Sequence, residues 1–470
     1  GDISVLRYSF EYERPIKARA GEIISCTSDG SDVCITGRLY NDEKFVPVKL
    51  SLFATTPADD RNWPDGKQLL YEGRLAPSDR EFVISGIPFM NGNTTLLPYQ
   101  LLLLASDAGG NMRVVGERFY IENYWDFSDN RYGFELPDKV YYVSDFGACG
   151  NAFTDDTEAV QSAIDEACRA GGGRVVICGD DSFYGRRYIV TCLLLRDNVE
   201  LCIEKGAVIW QSQIPEEYAY RPSLGHDGII QGVNWTHCMH VCNLPLIQAE
   251  NCRNVKITGG GKIRMLDTGS EEGVGMPGYS TGCRDRIHII PIGFFNVHGA
   301  ELSDFEIVRS NNYHSAFYHS SKISLNNLKL HEVKCVSGDG FGLGFGTEDV
   351  YVNRCIFQSN DDGVVLWSCA YDPRGIVWWT ADGIEGDCGT RRVEVAHSYL
   401  NSGGGKAIAF ITWGTCAENQ ERAEISDIYV HDNILSSVNP VGAWPDNPYN
   451  GKQPFDNTEA DDYSPVKNVR

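Results

Sequence analysis

The sequence predicts an all-β protein in which a parallel β-helix follows a small N-terminal β-sandwich. A strand motif recurs at Asp304, Asn327 and Asp349, with steps of 23 and 22 residues, and few segments show helical periodicity. Repeats of this length, built from strands without intervening helices, are typical of coiled parallel sheets. The 470 residues also include 49 glycines, which suit frequent tight turns.

The first part of the chain, residues 1–125, has the pattern of a β-sandwich. Short runs of alternating apolar and polar residues, such as residues 82–84 and 99–104, are separated by turn signals such as residues 28–30 and 91–93. Residues 126–139, rich in Asp, Asn and Tyr, are predicted to be a linker. The β-helix is predicted to occupy residues 140–470.

The one clear helix is predicted to begin at Thr157. Before it, Thr154, Asp155 and Asp156 supply the side-chain acceptors and negative charge that a helix start needs. We therefore interpret Asp155 and Asp156 as capping residues and not as catalytic ones. The helical spacing is carried by apolar residues that recur every three or four positions: Ala159, Val160, Ala163, Ile164 and Ala167.

The strand motif, an Asn, Asp or Arg followed by alternating apolar residues, continues beyond these copies. The later steps are longer, 43 residues from Asp349 to Arg392 and 35 from Arg392 to Asp427. We expect inserted loops there that wall a cleft. Residues 466–470 read like the opening of a further coil, so the natural chain is expected to continue past Arg470.

Composition excludes several classes of function. The formal charge of -23 argues against nucleic acid and anionic membranes as partners, and it mildly disfavours a polyanionic substrate. No run of about 18 apolar residues predicts a membrane span. We expect a secreted or periplasmic protein whose signal peptide is gone. A cytoplasmic location is the alternative, because the 16 cysteines scatter as buried free thiols would, and Cys238 and Cys242 are expected to pack in a core and not to bind zinc.

Three aspartates are the candidate catalytic residues. Residues at equivalent positions of successive coils stack about 4.8 Å apart. Asp339 lies 12 residues after Asn327, and Asp361 lies 12 residues after Asp349. We therefore expect Asp339 and Asp361 to stack, with Asp362 beside them.

Such a cluster has a chemical consequence. Three carboxyl groups this close cannot all ionise easily, so at least one pKa should rise and leave a proton donor beside ionised neighbours. Glycoside hydrolysis uses such a combination of a protonated carboxyl group and an ionised one. The alternatives are simple glycine-rich turns and a calcium site, but the two acidic turns coincide in phase and no further ligand set repeats around them.

Several segments resemble a known superfamily. Residues 143–148, 154–157 and 171–176 look like the N-terminal signature of the pectin-lyase-like β-helix superfamily, and residues 245–261 resemble polygalacturonases. The resemblance runs from about Val143 to the end and implies a right-handed parallel β-helix. It implies that Ser337-Gly338-Asp339 and Asp361-Asp362 take the places of the family's Asn-Thr-Asp and Asp-Asp motifs.

The same resemblance bears on the substrate. The family's Gly-His-Gly motif falls near residues 403–406, where no histidine stands, and its Arg-Ile-Lys motif has no counterpart. Those residues hold galacturonate, so their absence argues against pectin. Residues 360–367 and 407–414, together with the sandwich-plus-helix architecture, resemble the dextranase and isopullulanase family, which implies a neutral α-glycan.

Three further residues are predicted to bind substrate. Lys406, on the face of the aspartates, is a candidate to replace the missing histidine or else a solvated surface lysine. His314 belongs one coil before Asp339 and would line the cleft, and Trp413 follows a strand in phase with the site and would stack on a sugar. Trp378 and Trp379 lie in an insertion and are weaker candidates.

The sequence therefore favours a hydrolase that inverts the anomeric centre. Asp361 donates a proton to the leaving oxygen, while Asp339 and Asp362 orient and deprotonate water. No cofactor and no metal are expected, and the partner is a carbohydrate. The alternatives are a lyase or epimerase acting on uronates, and a non-catalytic glycan-binding β-helix, which would need no such carboxylate cluster.

Overall fold

The computed structural model describes sixteen stretches of the chain, and all structural statements below refer to them. They are residues 19–28, 32–54, 67–76, 78–88, 101–119, 131–181, 185–212, 245–265, 290–309, 315–331, 338–344, 346–368, 389–411, 424–437, 439–444 and 466–470. The chain divides into two compact units, residues 8–128 and residues 1–7 with 129–470.

The unit formed by residues 8–128 contains two antiparallel sheets that share an apolar core. Ile35, Leu52, Leu103 and Val115 are fully buried in it. One sheet has the strands Gly21–Ser28, Asp32–Leu39 and Glu81–Pro88, and the other has, in spatial order, Gln68–Arg74, Pro47–Ala54, Leu101–Asp107 and Met112–Phe119. This is the predicted β-sandwich.

The larger unit is a right-handed parallel β-helix, so the predicted fold class is confirmed. Its coils form three parallel sheets, of ten, nine and eight strands in the described part of the chain. Sheet A contains Val140–Tyr142, Gly173–Ile177, Val199–Ile203, Arg253–Thr258, His298–Ser303, Ser321–Asn326, Thr347–Asn353, Thr390–Ala396, Ile425–His431 and Val466–Val469. Sheet B contains Asn151–Asp155, Arg186–Val190, Ala207–Gln211, Lys262–Arg264, Glu306–Val308, Lys329–His331, Ile356–Ser359, Tyr399–Ser402 and Ile434–Ser436. Sheet C contains Leu193–Leu194, Ile247–Glu250, Ile292–Phe295, Ser315–Tyr318, Phe341–Gly344, Val364–Trp367, Ile408–Ile411 and Val441–Trp444.

The bore of the β-helix is filled by side chains that alternate inward along every strand. On sheet C the inward positions carry an aromatic stack: the ring of Phe317 lies edge-on to Phe294 at 5.4 Å and to Phe341 at 5.7 Å. Phe341 in turn meets Phe357 of sheet B at 4.6 Å. These edge-to-face contacts stabilise the core beyond the area they bury, and Phe341 begins the strand that follows Asp339.

The recurring motif of the sequence marks a backbone conformation. The first residue of every copy has positive φ: Asn254 (54°), Asp304 (69°), Asn327 (50°), Asp349 (56°), Arg392 (51°) and Asp427 (58°). Asn and Asp tolerate the left-handed region better than most residues. The motif therefore records a left-handed residue at the start of an extended run, repeated coil after coil.

These positive-φ residues belong to two different columns, which corrects the predicted phase. Asp304 and Asn327 lie at the corner between sheets A and B, whereas Asp349, Arg392 and Asp427 lie within strands of sheet A. The residue equivalent to Asn327 in the next coil is Arg354, because Asn326 pairs with Asn353. The step of 22 residues from Asn327 to Asp349 thus runs from a corner to a position within the next strand of sheet A, and it is not one full coil.

The helix Thr157–Arg169 begins where predicted and buries Val160 and Ala167 against the β-helix core. The roles of Asp155 and Asp156, which precede the helix, differ from the prediction. Asp155 accepts a hydrogen bond from the Thr157 N–H at 2.9 Å, as a cap does. Asp156 makes no cap bond, and its buried carboxylate accepts the N–H groups of Cys149 and Gly150 at 2.6 and 3.0 Å. Asp156 therefore fixes the preceding loop.

Residues 131–139, from the predicted linker, form a strap across the outer face of sheet A. The Arg131 guanidinium pairs with the Glu394 carboxylate at 2.9 Å and lies 4.0 Å from the Tyr351 ring centre. The next residue, Tyr132, donates its backbone N–H to the Ser324 hydroxyl at 3.4 Å. The strap therefore contacts strands of three successive coils, whereas the described strand pairing joins each strand only to its immediate neighbours.

Replacing Arg131 with Ala tests how much this strap stabilises the β-helix. The change removes a two-pronged ion pair and a cation–π contact, so we expect the free energy of unfolding to fall by about 1–2 kcal/mol. Urea denaturation followed by tryptophan fluorescence measures the loss. The control is Arg169→Ala, which removes an exposed ion pair with Glu166 on the helix and should cost no more than about 0.5 kcal/mol. Equal losses in the two variants would contradict a bracing role.

Some predictions fall outside the described residues. The insertions expected to wall a cleft coincide largely with residues 369–388 and 412–423, which are not described, and Cys238 and Cys242 lie outside as well. Of the described cysteines, Cys355 is buried and Cys252 is half-buried, and neither forms a disulfide. Within the described residues, no helix combines the length and apolar character that crossing a bilayer requires.

Candidate active site

The site lies where the chain passes from sheet B into sheet C on three successive coils. Phe341 pairs with Val364, and Val364 pairs with Ile408. The residues two positions before these strands, Asp339, Asp362 and Lys406, therefore form one column. The backbone continues the ladder at this level, since the Gly340 N–H donates to the Asp362 carbonyl at 2.8 Å and the Gly363 N–H to the Lys406 carbonyl at 2.7 Å.

The register corrects which aspartates stack. We predicted that Asp339 would stack on Asp361, but its partner in the column is Asp362, and Asp361 lies beside the pair. The cause is the mixed phase of the strand motif described above. The predicted convergence is nevertheless present: one carboxylate oxygen from each of the three aspartates lies within 4.8 Å of the other two.

Backbone groups hold the two column carboxylates in place. The Lys406 N–H donates to Asp362 Oδ1 at 2.6 Å, and the Asp362 N–H donates to Asp339 Oδ1 at 3.1 Å. Each side chain thus accepts a hydrogen bond from the next coil, which favours its ionised form. Asp339 and Asp362 are each 4% exposed, so the ladder fixes buried carboxylates on a rigid scaffold.

Asp361 is anchored through its backbone, which leaves its carboxyl group to the site. Its N–H donates to the Gly338 carbonyl at 3.3 Å. Its carbonyl accepts from the Ser359 hydroxyl at 3.3 Å and from the Ser402 hydroxyl of the following coil. Asp361 is half-buried, the most accessible of the three aspartates.

The electrostatics favour a protonated carboxyl group near neutral pH. Burial, followed by the charge of Asp362, raises the pKa of Asp361 to about 7, and Lys406 opposes the rise. Burial and the charges of Asp361 and Asp362 raise the pKa of Asp339 well above its usual range. The cluster is therefore able to hold a transferable proton on one carboxyl group beside an ionised one.

Lys406 is part of the cluster and is not a solvated surface lysine. It is 6% exposed, and its stem packs so closely on Gly442 that a Cβ there would lie 3.0 Å from Lys406 Cε. Burial lowers the pKa of its ammonium group, and the charges of Asp362 and Asp361 act in the opposite direction. Lys406 thus places a cation beside the carboxylates of Asp362 and Asp361.

One residue that shapes the site, Gly405, was missed by the sequence analysis. A Cβ at Gly405 would lie 2.3 Å from Asp362 Oδ1 and 2.6 Å from Asp361 Oδ1, so only glycine leaves room for both carboxylates. The Gly403-Gly404-Gly405 run was a visible signal for it.

The remaining predicted site residues are not placed. His314 and Trp413 lie outside the described residues, as do Trp378 and Trp379. As for a metal, the three aspartates offer the all-oxygen ligands that Ca²⁺ and Mg²⁺ prefer. A cation there would compete with Lys406 for the same carboxylates.

Fold and site together define a parallel β-helix protein with a compact carboxylate cluster at the entrance to one sheet. The fold of the chain is similar to that of several solved structures. The solved structures similar to it include an exopolygalacturonase from Yersinia enterocolitica, with 17% identity and a TM-score of 0.48 over 91% of this chain and 76% of that one. A hyperthermoactive exopolygalacturonase from Thermotoga maritima has 17% identity and a TM-score of 0.44 over 65% of this chain and 80% of that one.

Curated relatives match only short stretches. Alginate lyase 7 of Azotobacter vinelandii is 60% identical over 37 residues, which are 8% of this chain and 4% of the relative. Mannuronan C5-epimerase AlgE6 of the same organism is 44% identical over 83 residues, 16% of this chain and 8% of the relative. The matched part thus spans less than a tenth of the length of these relatives. No family model matches the sequence.

Proposed function

We propose that this chain is a glycoside hydrolase that cleaves an α-linked polysaccharide or oligosaccharide with inversion of the anomeric centre. The observation that carries the proposal is the cluster of Asp339, Asp361 and Asp362, whose carboxylate oxygens lie within 4.8 Å of one another and whose most accessible member has a pKa of about 7. Hydrolysis of a glycosidic bond needs one protonated and one ionised carboxyl group in the same site.

In the proposed reaction Asp361 is the general acid and donates its proton to the leaving glycosidic oxygen. Asp339 and Asp362 together take a proton from the attacking water. The burial of Asp339 and Asp362 supports this role in activating water. A water molecule can reach carboxylates that are each 4% exposed, whereas a nucleophilic carboxylate must contact the sugar carbon itself. Lys406 is proposed to bind a substrate hydroxyl or carboxylate beside them.

The carboxyl separation makes stereochemistry an informative measurement. Inverting enzymes usually hold their two carboxyl groups ~6.5–9.5 Å apart and retaining enzymes ~5–5.5 Å apart, and this cluster, with oxygens within 4.8 Å, is nearer to the second range. Inversion here rests on the burial of Asp339 and Asp362. NMR of freshly released product is expected to show the inverted anomer, and a retained configuration would make one of the two the nucleophile.

The substrate is proposed to be a neutral α-glycan of the dextran or pullulan kind, with polygalacturonate as the alternative. The absence of the galacturonate-binding motifs and the charge of -23 support the neutral sugar. The protein is proposed to be secreted or periplasmic, where such polymers occur, with a cytoplasmic location as the alternative. Reducing-sugar release from a panel of α-glucans, pectic fragments and α-galactosides tests the proposal, and activity on none of them would contradict it.

A second candidate function is a lyase or epimerase that acts on uronates. The short matches to Alginate lyase 7 and the mannuronan C5-epimerases favour it. Such a reaction needs a base that removes a proton from the sugar carbon, and Lys406 suits that role because burial lowers its pKa. An unsaturated product absorbing near the ultraviolet edge would identify a lyase.

Chelation separates the two candidates. Hydrolysis by three carboxyl groups has no obligatory use for a metal, so turnover in excess EDTA is expected to stay within about twofold of the untreated value. The measurement is the initial rate before and after chelation, with calcium added back as the control. Loss of turnover that calcium restores would favour the lyase or epimerase.

A further inference from the structure

A second cluster of chemically active side chains lies at the corner between sheets A and B. Ala396 pairs with His431, so His397 and Asp432 occupy the same position on adjacent coils. Both have positive φ, 49° and 52°, and both follow directly on a strand. One ligand atom from each of His397, His431 and Asp432 lies within 4.8 Å of the other two.

The surroundings of His431 resemble those of a metal-bound imidazole. Its Nδ1 lies 2.8 Å from Asp432 Oδ2, while its Nε2 lies 3.1 Å from Glu394 Oε1. A metal-binding histidine commonly donates its other ring N–H to a carboxylate, which fixes the tautomer. Glu394 is in the place of that carboxylate and is itself held by Arg131. The Tyr429 ring, stacked on His431 at 4.2 Å, fixes the plane of the imidazole.

We propose that His397, His431 and Asp432 bind a transition metal ion of the zinc class, with water completing its coordination and Glu394 orienting His431. Ligand atoms no more than 4.8 Å apart all lie within ~2.8 Å of a common centre, so shifts of under ~1 Å give the usual bond lengths of ~2.0–2.2 Å. Two imidazoles with one carboxylate suit zinc, whereas calcium and magnesium prefer oxygen ligands alone.

The ion would tie two neighbouring coils together. His397 follows the strand Thr390–Ala396, while His431 ends the next strand of sheet A and Asp432 follows it. The first of these coils also carries Lys406. An ion that binds this arrangement and not the unfolded chain stabilises the native state. Its role is structural, and it is separate from the proposed hydrolysis.

Calorimetric titration with zinc chloride at pH 7.5 tests the proposal on the full chain. The chain is first stripped with a chelator and dialysed. The triple variant Asp339→Asn, Asp361→Asn, Asp362→Asn is used as the background, so that the carboxylate cluster cannot contribute. We expect one site per chain with a Kd of about 1 µM or lower, together with a higher melting temperature when zinc is added.

Two substitutions in that background locate the site. His397→Ala and Asp432→Asn should each weaken zinc binding by about tenfold or more. Asp432 is exposed and asparagine tolerates its positive φ, so the second change leaves the fold intact. The control is His298→Ala, an exposed histidine of sheet A bonded to Ser321, which should leave binding unchanged. Absence of binding below about 100 µM, or unchanged binding in His397→Ala, would overturn the proposal.

Discussion

Replacing Asp361 with Asn should lower turnover of natural glycans by about a thousandfold or more, since acid–base contributions are typically 10²–10⁴. The amide keeps the size and hydrogen bonding of the carboxyl group but has no proton to transfer. Substrates with an activated leaving group need less protonation, so they should be largely spared. The measurement is kcat/KM for matched natural and activated substrates.

The matched controls are Asp339→Asn and Asp362→Asn, which should fail on both kinds of substrate because water activation is lost. The pH profile gives an independent readout. A pKa of about 7 for Asp361 predicts that the wild-type rate falls as pH rises through about 7, when the donor loses its proton. This limb should be absent in Asp361→Asn. An equal deficit on natural and activated substrates would show that the assignment of the acid is wrong.

Replacing Gly405 with Ala should lower kcat by about a hundredfold while the protein stays folded. The added methyl group would lie 2.3 Å from Asp362 Oδ1 and 2.6 Å from Asp361 Oδ1, so both carboxylates must move. Misplacement of catalytic groups by about 1 Å costs rates of this order. The fall should appear in kcat more than in KM, because the carboxylates act in the chemical step.

Gly403→Ala is the control for this prediction. It lies in the same glycine run, and its Cβ would meet the nearest atoms, those of Asn360, at 3.3 Å or more. We expect its activity to stay within about threefold of wild type. Circular dichroism and melting temperature establish that both variants are folded. Similar activity in the two variants would mean that the cluster tolerates displacement and that its geometry is not catalytic.

The fold could be predicted because its signals are local. A residue that tolerates positive φ, followed by alternating apolar residues, appears at Asn254 and again at Asp427, and each copy is visible without its neighbours. The phase could not be predicted in the same way. Corners between sheets and left-handed positions within strands select the same residues. Asn327 and Asp349 therefore looked equivalent, although Asn327 lies at the corner between sheets A and B and Asp349 lies within a strand of sheet A.

The candidate site likewise has some features that are visible in the local sequence and others that depend on the register between coils. Asp339, Asp361 and Asp362 stand out because acidic residues sit among glycines at two turns of one region, and adjacent coils had to bring those turns together. The stacking of Asp362 on Asp339 and the contact of Gly405 with both acidic neighbours depend on the register between coils. That register depends on how each coil packs around the core. Because insertions of any length can interrupt the repeat, counting residues along the sequence does not give it.

The strap formed by residues 131–139 changes how this β-helix should come apart. In an array of coils each unit touches only its neighbours, so coils can in principle peel from an end one at a time. Arg131 contacts Tyr351, in the coil that carries Asp361, and Glu394, in the coil that carries Lys406. Peeling from the C-terminal side must therefore break these contacts of Arg131 before it reaches the aspartates. The coils that carry the site should consequently open together, and later than the coil beyond them.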